Sequence, residues 1–180
     1  TGEGMIDDIN FKSKVLILFI LEKLEMPINE GVLIQMCCLD NDWISYFYFP
    51  TLINELASAD LINRHLDENS HKEYVISLNE NGKVCLSYFF KDIYKSDRDN
   101  VTEYIRANKL KYRKIQEFTC DYKKNKDGTF KVMCAVKNAE ATVFELVFTV
   151  PTQEKAVSVR NKWITKATDF YRLYTDLLID

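Results

Sequence analysis

Residues 43–78, WISYFYFPTLINELASADLINRHLDENSHKEYVISL, constrain the fold more than any other stretch of the chain. Pro50 suits the first turn of a helix, where its missing amide would have no intrahelical partner. Ile53, Leu56 and Ala57 then recur at helical spacing and make an inward face, which leaves Thr51, Asn54 and Ser58 on the other side. The helix ends near Asp60, a residue type that tolerates left-handed backbone better than most. Leu61 and Ile62 start a strand, residues 67–72 form a polar tip, and Tyr74, Ile76 and Leu78 alternate as a half-buried return strand. The rest of the chain must accommodate a helix that runs straight into a β-hairpin.

Upstream, Leu16, Phe19, Ile20 and Leu24 predict a helix over residues 11–25, stopped by Met26 and Pro27. Ile28 can supply a minimal strand, and Asn29 is placed to cap a second helix through its side-chain oxygen. That helix turns Val32, Leu33, Met36 and Cys37 inward and closes at Asp40, Asn41 and Asp42, whose short polar side chains favour turns. The run VLILFIL at residues 15–21 follows Lys12 and Lys14 as a targeting signal would. It is too short to span a bilayer, lacks a cleavage site and meets Glu22 and Lys23 at once, so it reads as a buried helix with no membrane role. Residues 1–4 precede the first methionine, Met5, and read as a processed or added end. Downstream of the hairpin, Asn79 caps a helix whose apolar residues are Val84, Leu86, Phe89, Phe90 and Ile93.

After Lys95 the pattern changes. Residues 96–100, SDRDN, are a charged, breaker-rich junction and the expected domain boundary. A helix over 101–114 with Tyr104, Ile105 and Leu110 on its apolar side follows. Three alternating stretches come next: Phe118, Cys120 and Tyr122; Phe130, Val132, Cys134 and Val136; and Phe144, Leu146, Phe148 and Val150. Asp127-Gly128 between the first two is a strong hairpin signal. A last helix, capped by Thr152, carries Ala156, Val159, Trp163, Ala167, Phe170, Tyr174 and Leu177 and covers the sheet. Its length of about 40 Å exceeds such a sheet, so the excess suits a dimer contact, docking on the first domain or simple overhang. The expected fold class is α+β: a winged helix-turn-helix at residues 1–95, then an α-β-β-β-α domain at 96–180 with a three-stranded antiparallel sheet and a long C-terminal helix.

Two motifs carry a resemblance. Leu56-Ala57-Ser58-Ala59-Asp60-Leu61-Ile62 and Asn79-Glu80-Asn81-Gly82 resemble the helix ending and helix start that bracket the wing in bacterial winged-helix transcriptional regulators. Over nearly its full length the chain is similar to an uncharacterised bacterial winged-helix-containing family, domain of unknown function 4364. That similarity rests on KVLILFILEKLEMPI at 14–28, SYF at 45–47, NKW at 161–163 and LYTDLL at 173–178. It implies a cytoplasmic, regulator-like protein.

No nucleophile with a base, carboxylate pair or metal-ligand spacing stands out, so no enzyme, catalytic residue, metal or cofactor is expected. His65 and His71 flank the hairpin tip and read as solvated, since two histidines on mobile strands do not close a tetrahedral site. Cys37 and Cys38 read as buried, inert thiols, and the odd count of five cysteines fits a reduced cytoplasmic protein better than a disulfide framework. Charge then sets the partner. Residues 1–95 hold eight Lys or Arg against fifteen Asp or Glu, and between Lys23 and Arg64 there is no cation at all. Affinity for a duplex comes largely from neutralised phosphates, so local charge disfavours DNA. Residues 109–137, with nine basic and three acidic residues, form a solvated face, a partner-subunit contact or an auxiliary phosphate contact, in that order.

Two functions compete. In the first, a winged-helix transcriptional regulator, Thr51, Asn54 and Ser58 read base edges while Arg64 and Lys72 touch the backbone. In the alternative, a protein-interaction adaptor, Trp43, Tyr46 and Tyr48 form the contact surface and Phe47 and Phe49 enter the core. A homodimer is compatible with both.

Overall fold

The computed structural model describes residues 2–67, 73–138 and 141–179. The chain mixes helices with two three-stranded antiparallel sheets and divides into two compact units, residues 1–109 and 110–180.

The first unit is organised on helix α1 (Gly2–Leu24). Every residue from 15 to 21 is buried, and so is Leu24. A helix that is apolar all round has to be wrapped on all sides, so the run at 15–21 is the centre of the unit. Among the described residues no helix is long and apolar enough to cross a membrane. The helix begins at Gly2 instead of near Phe11, because the polar segment ahead of Phe11 suits a helix start: Asp8 pairs with Lys12 one turn on at 3.0 Å, and early carboxylates favour the helix dipole. Glu25 takes the left-handed conformation at φ 54° and ends it.

Strand β1 (Ile28–Asn29) leads into α2 (Glu30–Ile34), which a π-helical turn at Gln35–Asp40 extends. Asn29 sits at the N-cap position but makes no side-chain cap. Its amide donates to Glu73 Oε2 at 2.8 Å instead, a charged acceptor that outcompetes a neutral capping contact. Met36 and Cys37 stay buried, and Asn41 closes the π turn by donating to the Met36 carbonyl at 2.9 Å.

Helix α3 (Phe49–Ser58) has Pro50 in its first turn and buries Phe49, Leu52, Ile53 and Leu56. Asp60 follows at φ 54°. Strands β2 (Ile62–Leu66) and β3 (Tyr74–Leu78) then pair, and β1 adds to the far edge of β3, giving the order β1-β3-β2. Ile28 lies opposite Ile76, and Arg64 lies opposite Ile76 on the other side. Of the expected hairpin tip only Asp67 falls within the described residues; His71 and Lys72 lie outside them.

Helix α4 (Glu80–Phe89) starts in a network that ties it back to the end of α3. Asn79 Oδ1 accepts from the Gly82 amide at 2.8 Å, Asn79 Nδ2 donates to the Asp60 carbonyl at 3.0 Å, and Asn81 Nδ2 donates to Asp60 Oδ2 at 2.8 Å. Gly82 lies so close to the chain that a Cβ there would stand 2.1 Å from the Leu61 carbonyl oxygen. Leu86 and Ile93 are buried, whereas Val84, expected on the apolar side, is exposed. Phe89 stacks edge-on against Phe11 at 5.1 Å and Phe90 against Phe19 at 5.9 Å.

Helix α5 (Lys95–Glu117) runs through residues 96–100, so these residues begin a helix where a breaking junction was expected. Asp97 in its first turn and the Lys95–Asp99 ion pair one turn apart make that segment a favourable helix start. Val101 and Ile105 are buried, but Leu110, expected beside them, is 70% exposed. Residues from Leu110 onward belong to the second unit.

There, β4 (Phe118–Lys124), β5 (Phe130–Lys137) and β6 (Thr142–Val150) form an antiparallel meander in that order. Its first turn is set by Gly128 at φ 87°. Asp127 Oδ1 accepts from both the backbone amide and the hydroxyl of Thr129, at 3.0 and 2.6 Å. Helix α6 (Gln153–Leu178) is capped by Thr152 Oγ1, which accepts from the Lys155 amide at 3.3 Å. Ala156, Trp163 and Ala167 pack on Val132, Cys134 and Val136, with Cys120 and Tyr122 beside them. The Trp163 indole donates to the Ala135 carbonyl at 3.3 Å. Phe170 and Leu177, expected on the inward face, are 45% and 70% exposed, whereas Tyr174 between them meets Phe144 of β6 at 4.9 Å.

Candidate functional site

Helix α3, the turn before it and the hairpin after it carry most of the residues singled out in the sequence. Thr51, Asn54 and Ser58 all lie on α3 and are exposed, Ser58 as its last residue. Asn54 is nonetheless engaged, since its Oδ1 accepts from Arg64 Nη1 at 3.1 Å.

Strand alternation decides the place of Arg64. It stands two residues from buried Ile62 on β2 and therefore points to the same side of the hairpin. There its guanidinium forks onto Glu30 of α2, Nε to Oε2 at 2.8 Å and Nη2 to Oε1 at 3.2 Å. The central carbon of the group lies 3.8 Å from the centre of the Tyr74 ring. The Arg64 and Glu30 side chains are only 22% and 19% exposed. Each charge-assisted bond of this kind is worth roughly 1.5–3 kcal/mol, so releasing Arg64 to a phosphate would cost more than the new contact returns. Lys14 is likewise committed to Glu55 of α3 at 2.8 Å. Lys72, the other expected backbone contact, lies outside the described residues.

The aromatic residues divide differently from the sequence expectation. Trp43 is half-buried and packs edge-on against Tyr104 at 5.3 Å. These two rings, with Asn41, Asn100, Glu103, Ala107 and Asn108, line an open groove of roughly 470 Å³. Residues 45–48 form a tight turn in which the amides of Tyr48 and Phe49 both donate to the Ser45 carbonyl at 3.1 Å. That turn directs Tyr46, Phe47 and Tyr48 outward, at 64%, 81% and 41% exposure. Phe47 therefore does not enter the core; Phe49 alone does. The rings of Phe47 and Tyr48 stand perpendicular at 5.3 Å. Sequence reasoning missed Phe47, and the signal that finds it is its place ahead of Pro50, in a turn where helical periodicity no longer assigns sides.

Among the described residues no three His, Cys, Asp or Glu side chains are grouped to hold a metal ion. His65 is exposed on β2. Burial pushes the Cys37 thiol well above its ordinary value of 9.0. Burial, with the charge of Asp42, pushes Cys38 up to about 11.

Fold and surface together define a two-unit α+β protein that presents an aromatic turn in front of a helix and a β-hairpin. The chain belongs to the family described as Domain of unknown function (DUF4364), whose model matches residues 13–178. Neither a curated protein nor a solved structure matches it.

Proposed function

We propose that this chain is a non-enzymatic cytoplasmic regulator whose first unit is a winged helix-turn-helix, and that this unit docks on another protein through Tyr46, Phe47 and Tyr48. The observation that carries the reading is three consecutive exposed aromatic side chains beside a helix with no cation of its own. Large rings on a short, hydrogen-bonded turn bury much area at little entropic cost, which is how interface anchors work.

The test pairs Tyr46→Asp and Phe47→Asp with the wild-type chain in a quantitative pull-down from the source cell. Both substitutions should lower partner recovery at least about tenfold with the unfolding midpoint unchanged, because both side chains are solvated in the free protein. Equal recovery by wild type and variants, or nothing above background with any of them, rejects the docking surface.

A second reading keeps the same module on DNA, with Thr51, Asn54 and Ser58 at base edges and Arg64 and Lys72 on phosphates. It is favoured by one observation, the outward position of those three α3 residues ahead of the hairpin. Selection on random genomic DNA at low salt separates the two: enrichment of a shared motif with steep salt dependence supports DNA, and no enrichment supports the aromatic turn.

The second unit, in this proposal, supplies self-association. Among the described residues strand β6 is an unpaired sheet edge with apolar residues on both faces, and a second copy is the partner whose strand matches it.

A further inference from the structure

We propose that Cys120 and Cys134 form a peroxide-sensitive dithiol that closes reversibly to a disulfide across β4 and β5. The two residues are direct partners in the antiparallel register. Such partners have Cα atoms about 4.5–5.5 Å apart whichever type of pair they form, inside the range of about 4.4–6.8 Å that a disulfide spans. Their sulfurs are already 2.8 Å apart, less than an ångström beyond the covalent length of about 2.05 Å. Small side-chain rotations suffice, and the hydrogen-bonded ladder on either side holds both residues in place.

The two sulfurs have different surroundings. Cys134 is fully buried beneath α6 among Val132, Ala156 and Trp163. Cys120 is half-buried and stands on β4, an edge strand. The hydrogen bond shared with Cys134 lowers the pKa of Cys120 against the opposing effects of burial and the Asp121 charge, and Arg160, whose guanidinium lies 5.5 Å from the Tyr122 ring, adds to the lowering. The same hydrogen bond and burial raise that of Cys134. Cys120 is therefore the attacking thiolate and Cys134 the resolving thiol.

The oxidant is hydrogen peroxide, small enough to reach a half-buried sulfur. Cys120 Sγ attacks one peroxide oxygen, the O–O bond breaks, and sulfenic acid and hydroxide form. Cys134 Sγ then attacks the Cys120 sulfur, the S–O bond breaks, and the departing hydroxide takes the Cys134 proton. In sum, two thiols and one hydrogen peroxide give one disulfide and two waters. The other three cysteines have no such arrangement: Cys37 and Cys38 are neighbours on one helical turn with raised pKa values, and Cys85 is on α4.

The experiment treats the folded full chain with a small excess of hydrogen peroxide at neutral pH, counts thiols, and maps peptides without reduction. The expected result is loss of two of the five thiols, one intrachain peptide linking Cys120 to Cys134, and recovery of both thiols with dithiothreitol. In Cys134→Ser the Cys120 sulfenic acid should persist and be captured by a dimedone probe; in Cys120→Ser the thiol count should not fall. Five intact thiols, or a linked peptide that joins any other pair or two chains, overturns the proposal. The wild-type map decides the matter even if a variant fails to fold.

Discussion

At the scale of the residue, Arg64 is the side chain on which the two functional readings diverge. Its fork onto Glu30, its bond to Asn54 and its stack on Tyr74 are all intramolecular. Arg64→Ala should therefore destabilise the first unit by about 2 kcal/mol, since it leaves Glu30 half-buried without its cation. Urea unfolding measures this, and a change below about 0.5 kcal/mol would mean the fork does not persist in solution. If Arg64 served phosphate instead, the variant would lower the slope of log K against log salt by about one unit with little loss of stability. Gly82 makes a second residue-scale case, because a general rule predicts the wrong sign there. Gly to Ala inside a helix ordinarily gains up to about 1 kcal/mol. Here the new Cβ would meet the Leu61 carbonyl at 2.1 Å and Leu78 Cδ1 at 2.6 Å. The carbonyl is backbone and cannot rotate away, so Gly82→Ala should cost more than about 2 kcal/mol and lower the thermal midpoint by roughly 10 °C. A neutral outcome in calorimetry would show that α4 can shift away from β2.

At the scale of the element, what the sequence made legible follows from how local each cause is. The Asp127-Gly128 turn, the caps at Asn79 and Thr152 and the left-handed Asp60 depend on two to four adjacent residues, and each was readable. The three strands of the second sheet were readable because apolar alternation sustained over seven to nine residues matches the period of a strand and not that of a helix. Part of what failed depended on distant partners. Asn29 leaves its helix for Glu73, forty-four residues on. Leu110 failed for a local reason, since five residues past Ile105 it lies about 140° round the helix and off that face, and it stays in solvent. The inward turn of Arg64 was within reach of the sequence, since a residue two from buried Ile62 on one strand shares its side. The Glu30 that receives it was not. The hairpin turn also yields a prediction at this scale. Asp127 has its pKa lowered from the usual 3.8, first by the Thr129 hydroxyl and then by the Thr129 amide. A carboxylate with a depressed folded pKa adds stability above its unfolded pKa and loses it as pH falls through the folded value. Asp127→Asn should therefore flatten the stability profile of the second unit below about pH 4, and unfolding midpoints measured down to about pH 2 in both proteins check this. Parallel profiles would mean that the turn contacts are absent.

At the scale of the whole molecule, the edge of β6 decides whether the chain acts alone. The strand is nine residues long, contains no proline, and bears one charge, Glu145. It lacks the usual guards of a sheet edge. Val143 and Val147 are 43% and 46% exposed on the face away from α6. A symmetric antiparallel pairing centred on Leu146 sets Phe144 against Phe148 of the second copy and Val143 against Thr149. It also sets Glu145 against Val147, so that no like charges meet. The exposed end of α6, with Leu173 and Leu177 at 56% and 70%, lies in the same unit and offers further apolar area. Light scattering at micromolar concentration should then give twice the chain mass of 21.1 kDa, and a monomer would end the self-association reading. Position 147 tests the register itself, because it is solvated in the single chain, with its own Glu145 two residues along the same face, and stands directly opposite a Glu145 only in the pair. Val147→Glu should weaken the dimer by about tenfold or more through two like-charge contacts related by symmetry, whereas Val147→Lys should retain or tighten it. If both substitutions weaken it alike, the strands do not pair in this register, and the end of α6 becomes the remaining contact to mutate.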